Sequence, residues 1–500
     1  MSEHFISRAD AESGLLACAT YLAETIESAE GHAEGISTVV QRHLAKGEVD
    51  LSAELANTVD DPFTRDRLLI HVAEKCAEVG DDEYAMQLLE AIEEPALQAE
   101  GYERVGMLEA SKGGFDAARK IAGVMAHPDY VLSTIAVKQY SAGDVETFRA
   151  TLSEIEFPAA RVSAYTGIAH ASVADKQTDG IADLLDSAAV DAVEIEHDEE
   201  RIRAFVEIGT LFHDIGSNGK AIETFDKARD YAEQLDNVHR DAFLAAVSVG
   251  FLRAGSQDLA DRALDLVEDK TQLATCLVGH ARHFWSKDQK EDALESIEEA
   301  HAILKSQRDI ETRNSKERYK LFGMIAAQFA YFDKGERAIE IAESIEDDAI
   351  GMTSLSQLAV IFASRGEDEF TRQAIKAIPE EAQQAFALIG VADAAEKRED
   401  NAAAVASLDE AAEKAESVPQ MSSRSSAFIE ISRRYAKLDE AEKFDTSIAN
   451  GIEALTAIKD ESIKVSSLVE LDALVEDLKL EISPEDFGFL KTILKDVRDE

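Results

Sequence analysis

The sequence predicts an all-α chain built as a solenoid of about eleven or twelve helical hairpins. Three observations lead there. Only 7 prolines and 26 glycines occur in 500 residues, and Ala, Leu and Glu dominate, which favours helix over strand. No stretch alternates with period two for long enough to propose a sheet. The chain also repeats itself with a spacing that suits one hairpin per repeat.

The repeat is first visible as paired glycines and prolines. Pro62, Pro95, Pro128 and Pro158 each lie fifteen residues after Gly47, Gly80, Gly113 and Gly143. That order reads as turn, helix, proline stop, and a second helix leading to the next turn. After Pro158 the prolines lapse and the register continues, through turn anchors at Lys176, Gly216, Gly255, Asp288, Asp333, Gly366, Glu399 and Asp439. Anchor spacing runs from 30 (Gly113 to Gly143) to 45 (Asp288 to Asp333), and is most often 33.

Seven residues before each anchor from Gly80 onward stands a small residue: Ala73, Gly106, Ala136, Ala169, Gly209, Ser248, Ala281, Ala326, Ala359, Ala392 and Ser432. The residue before it is a branched aliphatic in ten of eleven repeats, and His280 in the other. A small residue lets two helices approach closely, and the aliphatic fills the space between them. A single hairpin cannot bury such a face, whereas stacked hairpins bury it continuously.

The segment Ile202 to Ala228 resembles a tetratricopeptide repeat (TPR). Phe205 stands where that family prefers tryptophan, Ile208-Gly209 match its Leu-Gly pair, and Phe212 replaces its tyrosine. Ala221, Phe225 and Ala228 match the small and aromatic positions of its second helix. The tyrosine position is aromatic again in Phe251, Phe284, Phe329, Phe362 and Tyr435, and Ala395 departs from it. In the first repeats it holds Cys76, Glu109, Gln139 and Ser172, so the N-terminal part resembles the family less closely. The resemblance implies a right-handed superhelix over residues 40–455. Residues 1–39 and 456–500 are expected to be capping helices, the first with an apolar stripe at Leu15, Cys18, Leu22 and Ile26, the second split by Pro484.

Charge narrows the function. With 100 acids against 51 bases the formal net charge is −49, a field that repels a phosphate backbone, so no nucleic-acid partner is expected. Cys18, Cys76 and Cys276 lack metal or redox spacing and fit free thiols in a cytoplasmic protein. Leu15 to Cys18 follows a polar run rather than a signal peptide, and no apolar run is long enough to span a membrane, so no membrane partner is expected. Phosphate-loop, HExxH and GxSxG motifs are absent from the sequence. No catalytic residue, metal or cofactor is expected.

One segment is out of character. His280 to Asp288, HARHFWSKD, holds two histidines, an arginine and the single tryptophan. His280 falls at the aliphatic position, so it is expected in the core. The TPR resemblance implies partner contacts on the concave face at Arg203, His213, Leu252, Arg282, Trp285 and Lys320. They form a basic, partly aromatic stripe in an acidic chain. Lys305 to Lys320 is the most basic stretch near it. The expected function is a non-catalytic scaffold that binds a peptide or protein, with an acidic or carboxylate-ended partner at the stripe. The alternatives are a ligand-responsive regulatory solenoid and an enzyme subunit.

Overall fold

A computed structural model describes residues 4–306, 315–480 and 488–496. Within them the protein is an all-α, TPR-like solenoid of successive helical pairs, and no strand is present. The chain divides into two compact units. One comprises residues 1–101, 335–344 and 348–500, the other residues 102–334 and 345–347.

The turn register is set by backbone conformation. All twelve anchors, from Gly47 to Asp439, have positive φ. Each closes the first helix of a pair with a left-handed residue, which lets the chain reverse and satisfy the last carbonyls. After Pro62–Val79, for example, the Gly80 amide donates to Ala77 O and the Asp81 amide to Cys76 O (2.9 Å). Gly pays no Cβ penalty there, whereas Lys176, Asp288, Asp333, Glu399 and Asp439 adopt the same region at φ 56–63°. Pro62 and Pro158 open the next helices at their first turn, where an amide hydrogen would have no helical partner.

The small residues do the packing expected of them. A Cβ added to Gly209 would lie 2.8 Å from the Phe225 ring, and one on Gly106 would lie 2.9 Å from Val131. The aliphatics before them, from Val72 to Ile431, are buried, and so are Phe205, Phe212, Phe225, Phe251, Phe329 and Phe362.

A device invisible in the hydrophobic pattern ties several of the pairs to the next. Asp66, Asp129 and Asp241 each accept two consecutive backbone amides 27 and 28 residues downstream, as Asp129 does from Glu156 and Phe157 (2.7 and 2.9 Å). At the fourth residue of other first helices, Arg161, Arg201, Gln384 and Arg424 donate to the carbonyl six residues upstream. Both arrangements satisfy backbone groups in the link between pairs, which burial would otherwise leave unpaired.

The ends depart from the expectation of polar-faced caps. Repeat geometry begins at Ala29–Ala45, inside the segment assigned to the N-terminal cap. The Leu15–Glu24 helix packs against the Glu461–Asp477 helix, and both pack on Ala29–Ala45. Leu15, Cys18, Ala19 and Leu22 are buried, as are Val465, Leu468, Leu471 and Leu474. Glu461–Asp477 also ends in a positive-φ residue, Lys479, forty residues after Asp439, with the same Leu480 to Val475 backbone bond. It is thus the first helix of a further pair, and its second helix comes from the other end of the sequence. Pro484 lies outside the described residues.

Ion pairs cross this seam. Arg42 Nε lies 2.7 Å from Asp472 Oδ2, Arg42 also reaches Glu476, and Lys46 Nζ lies 3.0 Å from Asp472. Ser462 donates to Glu34 (2.9 Å), and the Arg8 guanidinium to Leu494 O (2.8 Å). Arg42 and Asp472 are only 13% and 11% exposed at their side chains, so removing one strands the other in a poorly hydrated site.

The packing and the seam can each be tested by substitution. Ala326 is fully buried at its small-residue position, so Ala326→Leu lowers stability by about 1–3 kcal/mol through overpacking, read from the urea midpoint. A double-mutant cycle with Arg42→Gln and Asp472→Asn gives a coupling of about 1 kcal/mol or more. Additive effects would show that the two ends do not meet through this pair.

Candidate functional site

The helices that carry the expected stripe all lie in the unit of residues 102–334. Arg203 and Lys320 are each the sixth residue of a first helix, Asp198–Asp214 and Ser315–Tyr331. Arg282 is the thirteenth residue of Lys270–Ser286. Seven residues make about 700° of rotation, so the three share one helix face, two turns apart. All three are exposed. Arg282 and Lys320 have no ion-pair partner among the described residues. Arg203 lies 3.5 Å from Glu199 and beside the Phe243 ring, and it borders a hollow that Asp198, Glu199 and Glu200 make acidic.

His213, Leu252 and Trp285 stand three residues before their turn anchors, on the flank of that face. Leu252 is buried, at 3% exposure, and offers no surface to a partner. The register gave its helix offset correctly but could not show that neighbouring helices cover it. Trp285 is half-buried: Phe332 stacks on it with centroids 4.4 Å apart, and the Lys290 ammonium lies 5.1 Å from its ring centroid. This is packing between successive pairs, which leaves the indole only partly available. His213 is half-buried, and its Nδ1 pairs with Asn218 Oδ1 (2.8 Å). Residues 307–314 of the basic stretch lie outside the described residues.

Beside Trp285 the structure adds bases that the register did not single out. The His283 imidazole is held below its usual range by burial and then by the charges of Lys287, Arg253 and His213. Basic groups therefore converge at the ends of three successive first helices. Arg253 pairs with Asp214 (3.3 Å), whereas Lys287 is exposed and has no ion-pair partner among the described residues. The signal was present in sequence, since His213, Arg253, His283 and Lys287 lie within five residues of successive anchors. On the same face as Lys320, Met324 and Tyr331 are 41% and 50% exposed.

His280 points the other way. It is 3% exposed, and its Nε2 lies 2.9 Å from Ser248 Oγ and 3.7 Å from Cys276 Sγ. Ser248 donates its own proton to Ala260 O (2.7 Å), so its oxygen accepts from Nε2–H and fixes that tautomer. Burial, reinforced by His283, lowers the His280 pKa to about 4, and burial raises the Cys276 thiol to about 11. The trio superficially resembles a nucleophile beside a base. A protonated thiol and a neutral imidazole, both sealed from solvent, instead form a satisfied polar plug. Among the described residues, no three His, Cys, Asp or Glu side chains group closely enough to hold a metal ion.

No family model matches the sequence, and no curated protein matches it. Solved structures do align. Ton1535 from Thermococcus onnurineus NA1 is 16% identical, with 70% of this chain and 97% of that one covered at a TM-score of 0.24. The APC/C hetero-tetramer Cut9-Hcn1 is 12% identical over 94% and 93%, at a TM-score of 0.21. Naa15/Naa10 bound to HypK is 12% identical over 98% of both chains, at 0.23. With scores this low, the TPR-like assignment rests on the chain's own turn register and helix packing. No helix among the described residues is long and apolar enough to cross a membrane.

The buried histidine gives a signed pH dependence. Its folded pKa lies below the unfolded 6.5, so the unfolded chain takes up the proton first. The contribution is full above about pH 6.5 and is lost as pH falls towards 4. His280→Ile restores the aliphatic of the other repeats. On going from pH 7.5 to 5 it should spare about 2 kcal/mol of the wild-type loss of stability, measured by urea unfolding at both pH values. Parallel losses in the two proteins would mean that His280 is not held neutral.

Proposed function

We propose that this protein is a non-catalytic scaffold that holds an acidic peptide or protein segment along the exposed faces of its first helices between residues 198 and 331. In the TPR resemblance this is the concave face. The observation that carries the reading is the exposure of Arg282 and Lys287, neither with an ion-pair partner among the described residues, in a chain of net charge −49. Exposed cations without a local counter-charge attract an anionic segment laid beside them. Lys320, Met324 and Tyr331 extend the same surface with a cation and exposed apolar groups. Met and Tyr are enriched at the cores of protein interfaces.

The reading supports a partner of carboxylate-rich chemistry, recognised along a surface rather than inside a closed pocket. Arg203 contributes little, because Glu199 already neutralises it. Trp285 serves as a reporter: a segment lying beside Lys290 and His283 alters the environment of the chain's single indole.

A fluorescein-labelled decapeptide rich in glutamate tests this by anisotropy. Arg282→Ala and Lys287→Ala each weaken its binding by about 1–2 kcal/mol, and added salt weakens the wild type more than the double variant. Equal affinity and equal salt dependence in wild type and double variant would contradict the assignment.

A further inference from the structure

We infer that the seam between the Leu15–Glu24 and Glu461–Asp477 helices is an exchangeable interface, through which a second copy of this chain docks by trading its C-terminal helix. In the other consecutive helical pairs of the sequence, a few residues of turn join the two members. This pair is joined only through the intervening chain. Two helices joined by a turn of a few residues cannot part far, whereas these two can separate without straining such a turn. The seam is therefore the pairing with least covalent support.

Its two surfaces are matched in both apolar character and charge. Leu468, Leu471 and Leu474 on one helix and Leu15, Cys18 and Leu22 on the other are buried where the two helices pack, and Asp472 faces Arg42 of the adjoining Ala29–Ala45 helix and Lys46 at its end. When the pair separates, the apolar strip on each side is exposed to water, and the matching strip on another copy covers it again. The link that has to re-route is short and extended. Ile458, Lys459 and Asp460 connect Ala441–Ala457 to Glu461–Asp477, with ψ of 132° at Ile458 and 125° at Asp460. Such a link straightens without unwinding either helix, and short links of this kind favour domain exchange. Reciprocal exchange recreates in trans the contacts made in cis, so the product is a closed dimer and not a filament.

Charge reversal tests this directly. Asp472→Arg sets like charges against Arg42 and Lys46, and Arg42→Asp sets like charges against Asp472 and Glu476, so each variant alone has a weakened seam. In a reciprocal exchange between the two variants, each C-terminal helix meets a different surface, and both seams regain opposite charges at positions 42 and 472, one as the wild-type pair and the other as the reversed pair. Mixed in equal amounts at about 100 µM, they should form a heterodimer of twice the 54.5 kDa chain mass, seen by light scattering on a sizing column, with a melting temperature above that of either alone. The double variant Arg42→Asp/Asp472→Arg, which restores the pairing within one chain, should stay monomeric and melt near the wild type. A mixture that remains monomeric, with the melting temperatures of its components, overturns the exchange, and a double variant that regains no stability overturns the pairing itself. If either single variant fails to fold, wild-type protein carries the test. Held at high concentration in about 1 M salt and returned to low salt, it should yield a dimer that dilution releases slowly, and a purely monomeric profile overturns the proposal.

Discussion

The constraint on which this structure depends is that no helical pair can bury its own apolar face. Each first helix presents a small residue and a branched aliphatic to its surroundings, and only an adjacent helix can cover them. Gly209 against Phe225 shows how tight that cover is, since even a methyl group would collide. The same demand governs the ends of the repeat array. There the uncovered faces of Leu15–Glu24 and Glu461–Asp477 meet one another, and ion pairs hold the edge.

That requirement explains where polarity is allowed inside. His280 replaces an aliphatic only because Ser248, itself a small-residue position, offers an oxygen whose own proton is committed to Ala260 O. Asp66, Asp129 and Asp241 are buried because each gathers two backbone amides from the next link. Cations outside the core follow a different logic. Arg42 and Arg161 are consumed by structural pairs, whereas Arg282, Lys287 and Lys320 remain without ion-pair partners among the described residues. The distinction between structural and available charge is what singles out the surface near Trp285.

Most of the fold was legible, because its determinants are local and periodic. All twelve turn anchors read from spacing have left-handed backbone, including five that are not glycine. A thirteenth, Lys479, keeps a spacing already present earlier in the array, where forty residues separate Lys176 from Gly216. Its partner could not be read, because a contact across some 450 residues of sequence leaves no trace in a local period. The surface was legible only in part. Register gives the offset of a side chain and not what covers it, so Leu252 shared an offset with His213 yet lies buried, and Phe332 claims one ring face of Trp285. Arg253 and Lys287 were missed because only fixed helix offsets were followed, whereas the bases near His283 stand at neighbouring offsets in three helices.

The measurement closest to the central claim is amide hydrogen exchange across the two terminal helices. If each covers the other, the amides of Leu15–Glu24 and Glu461–Asp477 share a common protection, and Leu22→Asp abolishes it in both while leaving the Asp198–Asp214 helix protected. Protection of Glu461–Asp477 that survives Leu22→Asp unchanged would contradict the account.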